Sequence, residues 1–142
     1  MADPFRQRPG LERINRYLAG TAAESLGIVV TEHGPDFLRA TMPMDARTRQ
    51  PFGLLHGGSS VLLAETLASM AGFLCLEPGS GQQAAGIEIN ANHLRAVTEG
   101  KVTGTARPIH LGRATQVWEI RLEDDQGRLT CISRMTAAVI GR

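Results

Sequence analysis

The sequence predicts an α+β fold in which one antiparallel sheet wraps around one long central helix. Three observations predict it. Gly58–Leu76 is apolar or small on every face of a helix, which marks a helix packed into a core. Four strand-like segments follow it without interruption: Ala84–Ala96, Lys101–Leu111, Thr115–Glu123 and Leu129–Ile140. Two more, Ser25–His33 and Phe37–Met44, precede it and are joined by the turn signal Gly34-Pro35-Asp36. Strands grouped in runs about a helix form an antiparallel layer, whereas parallel sheets need strands and helices in alternation.

Taken in order, the first ten residues are polar and Pro-rich, and a frayed end is expected there. Leu11, Ile14, Tyr17 and Leu18 then recur at helical spacing, with Gly20 as the stop. Residues 1–20 thus read as a variable segment carrying one short helix. Ile28, Val29, Val30 and Thr31 give the first strand its β-branched content. Asp45–Gly53 is polar, then punctuated by Pro51 and Gly53, and reads as a loop. Pro78 and Gly79 end the long helix. Thr115–Glu123 alternates, with Trp118, Ile120 and Leu122 on one face and Val117, Glu119 and Arg121 on the other. Asp124-Asp125-Gln126-Gly127 is a hairpin turn. With no repeat and no low-complexity linker, residues 1–142 read as a single domain.

Composition narrows the function classes. A chain of 142 residues with 42% hydrophobic content has enough apolar matter for a real core. Its formal charge is +1 and its arginines are scattered, which argues against a nucleic-acid or anionic-membrane partner. Cys75 and Cys131 lie far apart without ligand spacing and read as buried free thiols. The opening residues lack an apolar signal core, and the most apolar run, Val61–Leu76, is too short for a span and contains Glu65. A cytoplasmic location is the expectation. His33, His56, His93 and His110 lack metal-ligand spacing, so neither a metal site nor a cofactor is expected.

The chemistry concentrates between Gln50 and Leu76, where only His56, Glu65 and Cys75 can titrate. Glu65 has Val61, Leu62, Ala68 and Ser69 as its helical neighbours, and a carboxylate in apolar surroundings is costly unless paired or used. The bland reading is a Glu on the solvent edge; the functional one is a general base or nucleophile. Upstream, Gly57 and Gly58 open the helix and leave free N–H groups at its positive end, a natural seat for a developing oxyanion. His56 adjoins that start, and Gln50 offers a second polar contact. Nine residues separate His56 from Glu65, about 13 Å along a helix. Both ends therefore act on one substrate only if two subunits share the site, which implies an obligate dimer. Ser69, one turn beyond Glu65, faces the same way.

The run from Gln50 to Glu65 (QPFGLLHGGSSVLLAE) resembles the signature of PaaI-like acyl-CoA thioesterases, which have the hotdog fold. With Glu88–Arg95 (EINANHLR) and His110–Arg113 (HLGR), the chain is similar to 1,4-dihydroxy-2-naphthoyl-CoA hydrolases and to the proofreading thioesterases of aryl-capped siderophore synthesis. The match runs from about Leu26 to Ile140. The resemblance implies Glu65 as the catalytic carboxylate and Gly57 as donor to the thioester oxygen. Gln50 and His56 polarise or position that group, and Ser69 lies near the attacking water. It further implies that His93, Arg95, Gly112 and Arg113 contact CoA and that Met70 lines the acyl pocket. Phe52, Met70 and Phe73 suit an aromatic ring.

The expected reaction is hydrolysis of an acyl-CoA, an aryl-CoA above all, to free acid and CoA. CoA is then part of the substrate, and an acyl or aryl carrier protein is an alternative donor. The family resemblance also implies a homotetramer built as a dimer of dimers. Two rivals stand beside this reading. A hotdog dehydratase would take a hydroxyacyl thioester, and a non-catalytic acyl-CoA-binding module would need no carboxylate beside the thioester.

Overall fold

The computed structural model describes residues 2–141. In chain order the elements are α1 (Leu11–Leu18), α2 (Ala22–Ser25), β1 (Val29–His33), β2 (Leu38–Pro43), α3 (Gly57–Leu74), β3 (Gln83–His93), β4 (Lys101–Leu111), β5 (Thr115–Glu123) and β6 (Leu129–Ile140). The strands form one six-stranded sheet in the order β1-β2-β4-β5-β6-β3. Every neighbouring pair is antiparallel. The long helix α3 lies across the sheet and packs on β2 through β6. This is the predicted helix-in-sheet arrangement.

The alternation in β5 resolves as predicted: Trp118, Ile120 and Leu122 are fully buried. They meet Leu63, Leu67 and Leu74 of α3, with Met135, Val102 and Met42 completing the core. Gly104 of β4 lets the helix come close, since a Cβ there would stand 2.8 Å from Leu67 Cδ1. The polar groups that β5 brings into this core are satisfied. Trp118 Nε1 donates to Gln116 Oε1 (3.1 Å), and Gln116 Nε2 donates to the Gly72 carbonyl (3.3 Å), tying β5 to α3.

Four local expectations are corrected. Helix α3 is not buried all round: Leu63, Ala64, Leu67, Ala68 and Ala71 face the sheet, while Val61, Leu62, Glu65, Thr66, Ser69, Met70 and Phe73 remain partly or wholly in the open. Its uniform apolarity therefore serves two faces. The segment from Ser25 is not yet strand, because α2 ends there and Gly27 turns the chain at φ 74° before β1 begins at Val29. The strand expected to reach Ala96 ends at His93, after which Leu94 N and Arg95 N both donate to the Thr130 carbonyl. The opening residues are not frayed. Phe5 is buried, Arg6 N and Gln7 N donate to the Leu74 carbonyl, and the Gln7 side chain donates to the carbonyls of Phe73 and Leu76. This strap satisfies carbonyls that the C-terminus of α3 would otherwise leave unpaired.

Candidate active site

The loop before α3 is built around Gln50. Its Oε1 accepts from Phe52 N and from Leu54 N (3.4 Å), and both partners are donors, which fixes the orientation of the amide. The Nε2 group is thereby left as a donor. Gln50 and Gly57 line one groove of about 350 Å³, together with Ser60, His93 and Arg95. At the head of α3, His56 is the N-cap: its Nδ1 accepts from Gly58 N at 2.8 Å, and its carbonyl accepts from Ser59 N and Ser60 N. An acceptor Nδ1 in a neutral imidazole puts the proton on Nε2, so His56 presents a donor outward. These bonds leave the Gly57 N–H at the positive end of the helix without a partner among the described residues.

Gly57 is also where His93 packs. A Cβ at residue 57 would stand 2.8 Å from His93 Nε2, so no larger residue fits without moving that ring. The structure thus brings Gln50, Gly57, His93 and Arg95 to one groove and puts three kinds of donor around it: a backbone N–H, a carboxamide and a guanidinium. Such a groove suits an acyl oxygen and the anionic parts of a carrier group.

Glu65 lies elsewhere. Its side chain is exposed in the single chain, contrary to the buried carboxylate the sequence suggested, because it sits on the outward face of α3. It is aimed at β3, where a Cβ on Gly86 would stand 3.0 Å from Glu65 Oε1. Among the described residues it enters no salt bridge. Ser69 shares that face, but its Oγ turns to Met135 Sδ (3.7 Å) rather than to the carboxylate. Gly57 thus packs at the end of β3 and Glu65 near its start, and no single chain joins them. Eight residues of helix separate the two, about 12 Å.

The remaining expected contacts are divided as well. Gly112 and Arg113 line a second cavity of about 590 Å³, beside Cys75 and Glu77 at the far end of α3 from His93 and Arg95. Phe52 projects from the loop at 88% exposure and is not among the residues that line the groove of Met70. Met70 instead lines an apolar groove with Tyr17, Leu18, Thr66, Ser69 and Phe73. Tyr17, placed by the sequence only in the helical periodicity of Leu11, Ile14 and Leu18, was not singled out for the site. Among the described residues, no three His, Cys, Asp or Glu side chains gather as a metal ligand set.

Residues 52–131 match the family model described as the thioesterase superfamily. The proofreading thioesterase EntH of Cronobacter sakazakii is 55% identical over 96% of this chain and 98% of its own length. The 1,4-dihydroxy-2-naphthoyl-CoA hydrolase of Escherichia coli is 48% identical over 96% of this chain and 98% of its own. A crystal structure of a thioesterase from Haemophilus influenzae superposes with a TM-score of 0.93 at 50% identity, covering 96% of this chain and 94% of that one. The hotdog sheet and helix, the sequence match along almost the whole chain and the named relatives agree: the chain belongs to the thioesterase superfamily.

Proposed function

We propose that this thioesterase hydrolyses aryl-CoA thioesters, such as 1,4-dihydroxy-2-naphthoyl-CoA, at a site shared by two subunits. The Gly57 N–H, with donors from Gln50 and His56, holds the thioester carbonyl oxygen. Glu65 of the second subunit then acts on the carbonyl carbon. As a general base it takes a proton from water, whose oxygen adds while CoA leaves as the thiol. As a nucleophile it adds directly, expels the CoA thiolate and leaves a mixed anhydride for water to open. Either way the negative charge that develops on the carbonyl oxygen meets the donors at the head of α3. No cofactor takes part, since CoA belongs to the substrate. His93 and Arg95, which share the groove of Gly57, are the contacts proposed for it, and Gly112 and Arg113, at the far end of α3, are proposed to reach it from the second subunit.

One observation carries this reading. The head of α3 holds a free N–H beside a polar groove, its middle holds a free carboxylate, and about 12 Å of helix keeps them apart. A dimer in which the two α3 helices run past each other brings each to the other. The open N-terminal half of α3, with Val61 and Leu62 partly uncovered, and the exposed Phe52 and Ile87 (64%) support such a partner surface. A cytoplasmic dimer of dimers is the assembly we propose. The relatives' names, a hydrolase and a proofreading thioesterase, favour hydrolysis over the dehydratase and binding-module readings. A carrier-protein thioester is the alternative substrate we propose.

The test is Glu65→Ala assayed on benzoyl- and 1,4-dihydroxy-2-naphthoyl-CoA. We expect kcat to fall by about 10²–10⁴ with the melting curve unchanged. Retained turnover would remove Glu65 from the mechanism. A single turnover in ¹⁸O-water tests the nucleophilic route: label in the Glu65 carboxylate requires an anhydride that water opens at the Glu65 carbonyl carbon.

A further inference from the structure

We propose that Tyr17 is a specificity-determining residue, forming with Phe73 an aromatic corner that favours aryl over straight-chain acyl groups; this rests on the assignment of Glu65 as the catalytic carboxylate. The groove between α1 and the C-terminal half of α3 has a volume of about 410 Å³ and is lined almost wholly by carbon. Ser69 is on its rim and stands one turn from Glu65, about 6 Å along the helix. Glu65 itself does not line the groove, but an acyl group whose carbonyl carbon meets Glu65 can pass Ser69 into it.

Its shape suits a ring. The Tyr17 and Phe73 rings meet edge to face, with centroids 5.8 Å apart and planes at 74°. A third ring entering that corner stacks on one face and presents its edge to the other, and both contacts are favourable for aromatic quadrupoles. A saturated chain gains only contact area there. The groove, about 410 Å³ and open to solvent on one side, admits a ring without displacing its walls.

Tyr17 is also held in place, as a specificity residue must be. Ile14 and Leu18 on the same helix are buried. Asn15 locks α1 to β1 through a reciprocal pair, with Nδ2 donating to the Val30 carbonyl (2.9 Å) and Oδ1 accepting from Val30 N (2.8 Å). The ring is nonetheless 44% exposed in the single chain, so it is available to a ligand and is not a core residue whose loss would unfold the protein.

The experiment measures kcat/KM for benzoyl-CoA and hexanoyl-CoA in the wild type, Tyr17→Leu and Tyr17→Phe, with melting curves for each and Glu65→Ala as control. Leu keeps apolar bulk without a ring; Phe keeps the ring. Tyr17→Leu is expected to lower the benzoyl value about ten-fold, mostly through KM, and to leave hexanoyl within about two-fold. Tyr17→Phe is expected to retain the wild-type ratio. An unchanged ratio in Tyr17→Leu, or an equal fall for both substrates, overturns the inference while Glu65→Ala still shows its expected loss of turnover. Turnover that survives Glu65→Ala overturns the Glu65 assignment and this inference with it.

Discussion

Glycine at residue 57 serves two purposes: it exposes a helix-terminal N–H, and it makes room for the ring of His93, whose Nε2 would lie 2.8 Å from any Cβ. Gly57→Ala must push His93 aside and narrow the approach to the N–H. We expect kcat/KM for benzoyl-CoA to fall at least about ten-fold with little change in melting temperature. The cysteines give a second prediction at this scale. Burial pushes the Cys75 thiol up to about 12, and burial raises Cys131 as well. Both stay protonated and unreactive at neutral pH, so a thiol reagent at pH 7.5 should report CoA released by turnover and almost no protein thiol. Fast labelling of the resting enzyme would contradict this. Glu65 and Gly57 drew attention in the sequence because each is an odd residue for its setting, a carboxylate in an apolar run and paired glycines at a helix head; Gln50 and His56 stood out through their place beside that helix start and through the resemblance. The His93–Gly57 contact had no local signal. It joins residues 36 apart through the end of β3, and only resemblance pointed toward it.

The elements most poorly read were those whose order comes from distant partners. Residues 3–8 have a composition that suggests fraying, yet Gln7 bonds carbonyls of Phe73 and Leu76, and Phe5 packs edge to face on His33 with centroids 4.5 Å apart. Nothing near these residues in the chain announces those bonds. Removing residues 2–8 should lower the melting temperature by roughly 5–10 °C, from lost Phe5 burial and uncapped α3 carbonyls. The same contact gives a pH dependence. Burial, then the nearby Arg8 charge, lowers the proton affinity of His33 below its ordinary value, with Asp3 opposing, and its Nε2 is shielded without a partner. The unfolded chain takes up that proton near pH 6.5 and the folded chain only at lower pH. Below about pH 6.5 the unfolded state thus holds more protons, and stability falls as pH falls. A melting series from pH 7.5 to 5.5 should decline in the wild type and flatten in His33→Phe. By contrast, β5 and α3 were legible because periodicity alone governs which residues such long elements bury.

For the molecule as a whole, the six strands and one long helix could be read from the sequence, but their order in the sheet could not, since pairing depends on register between segments far apart. The shared site was inferred from length alone, and its test is complementation. Glu65→Ala and Gly57→Ala, each weak alone, should regain activity when unfolded and refolded together. Random pairing makes half the dimers mixed, each with one intact site, or about a quarter of wild-type activity. No recovery would argue for a site within one chain. The strand order has a consequence in time. β3 joins the sheet only through β6, which is synthesised after every other strand in it. Until Leu129–Ile140 is made, β3 has no neighbour, and Glu65 lacks both Gly86 held in register and Met135 behind it. The surroundings of Glu65, His93 and Arg95 thus all wait on the last strand, and a ribosome that stalls short of Leu129 holds a nascent chain whose helix is complete and whose catalytic floor does not yet exist.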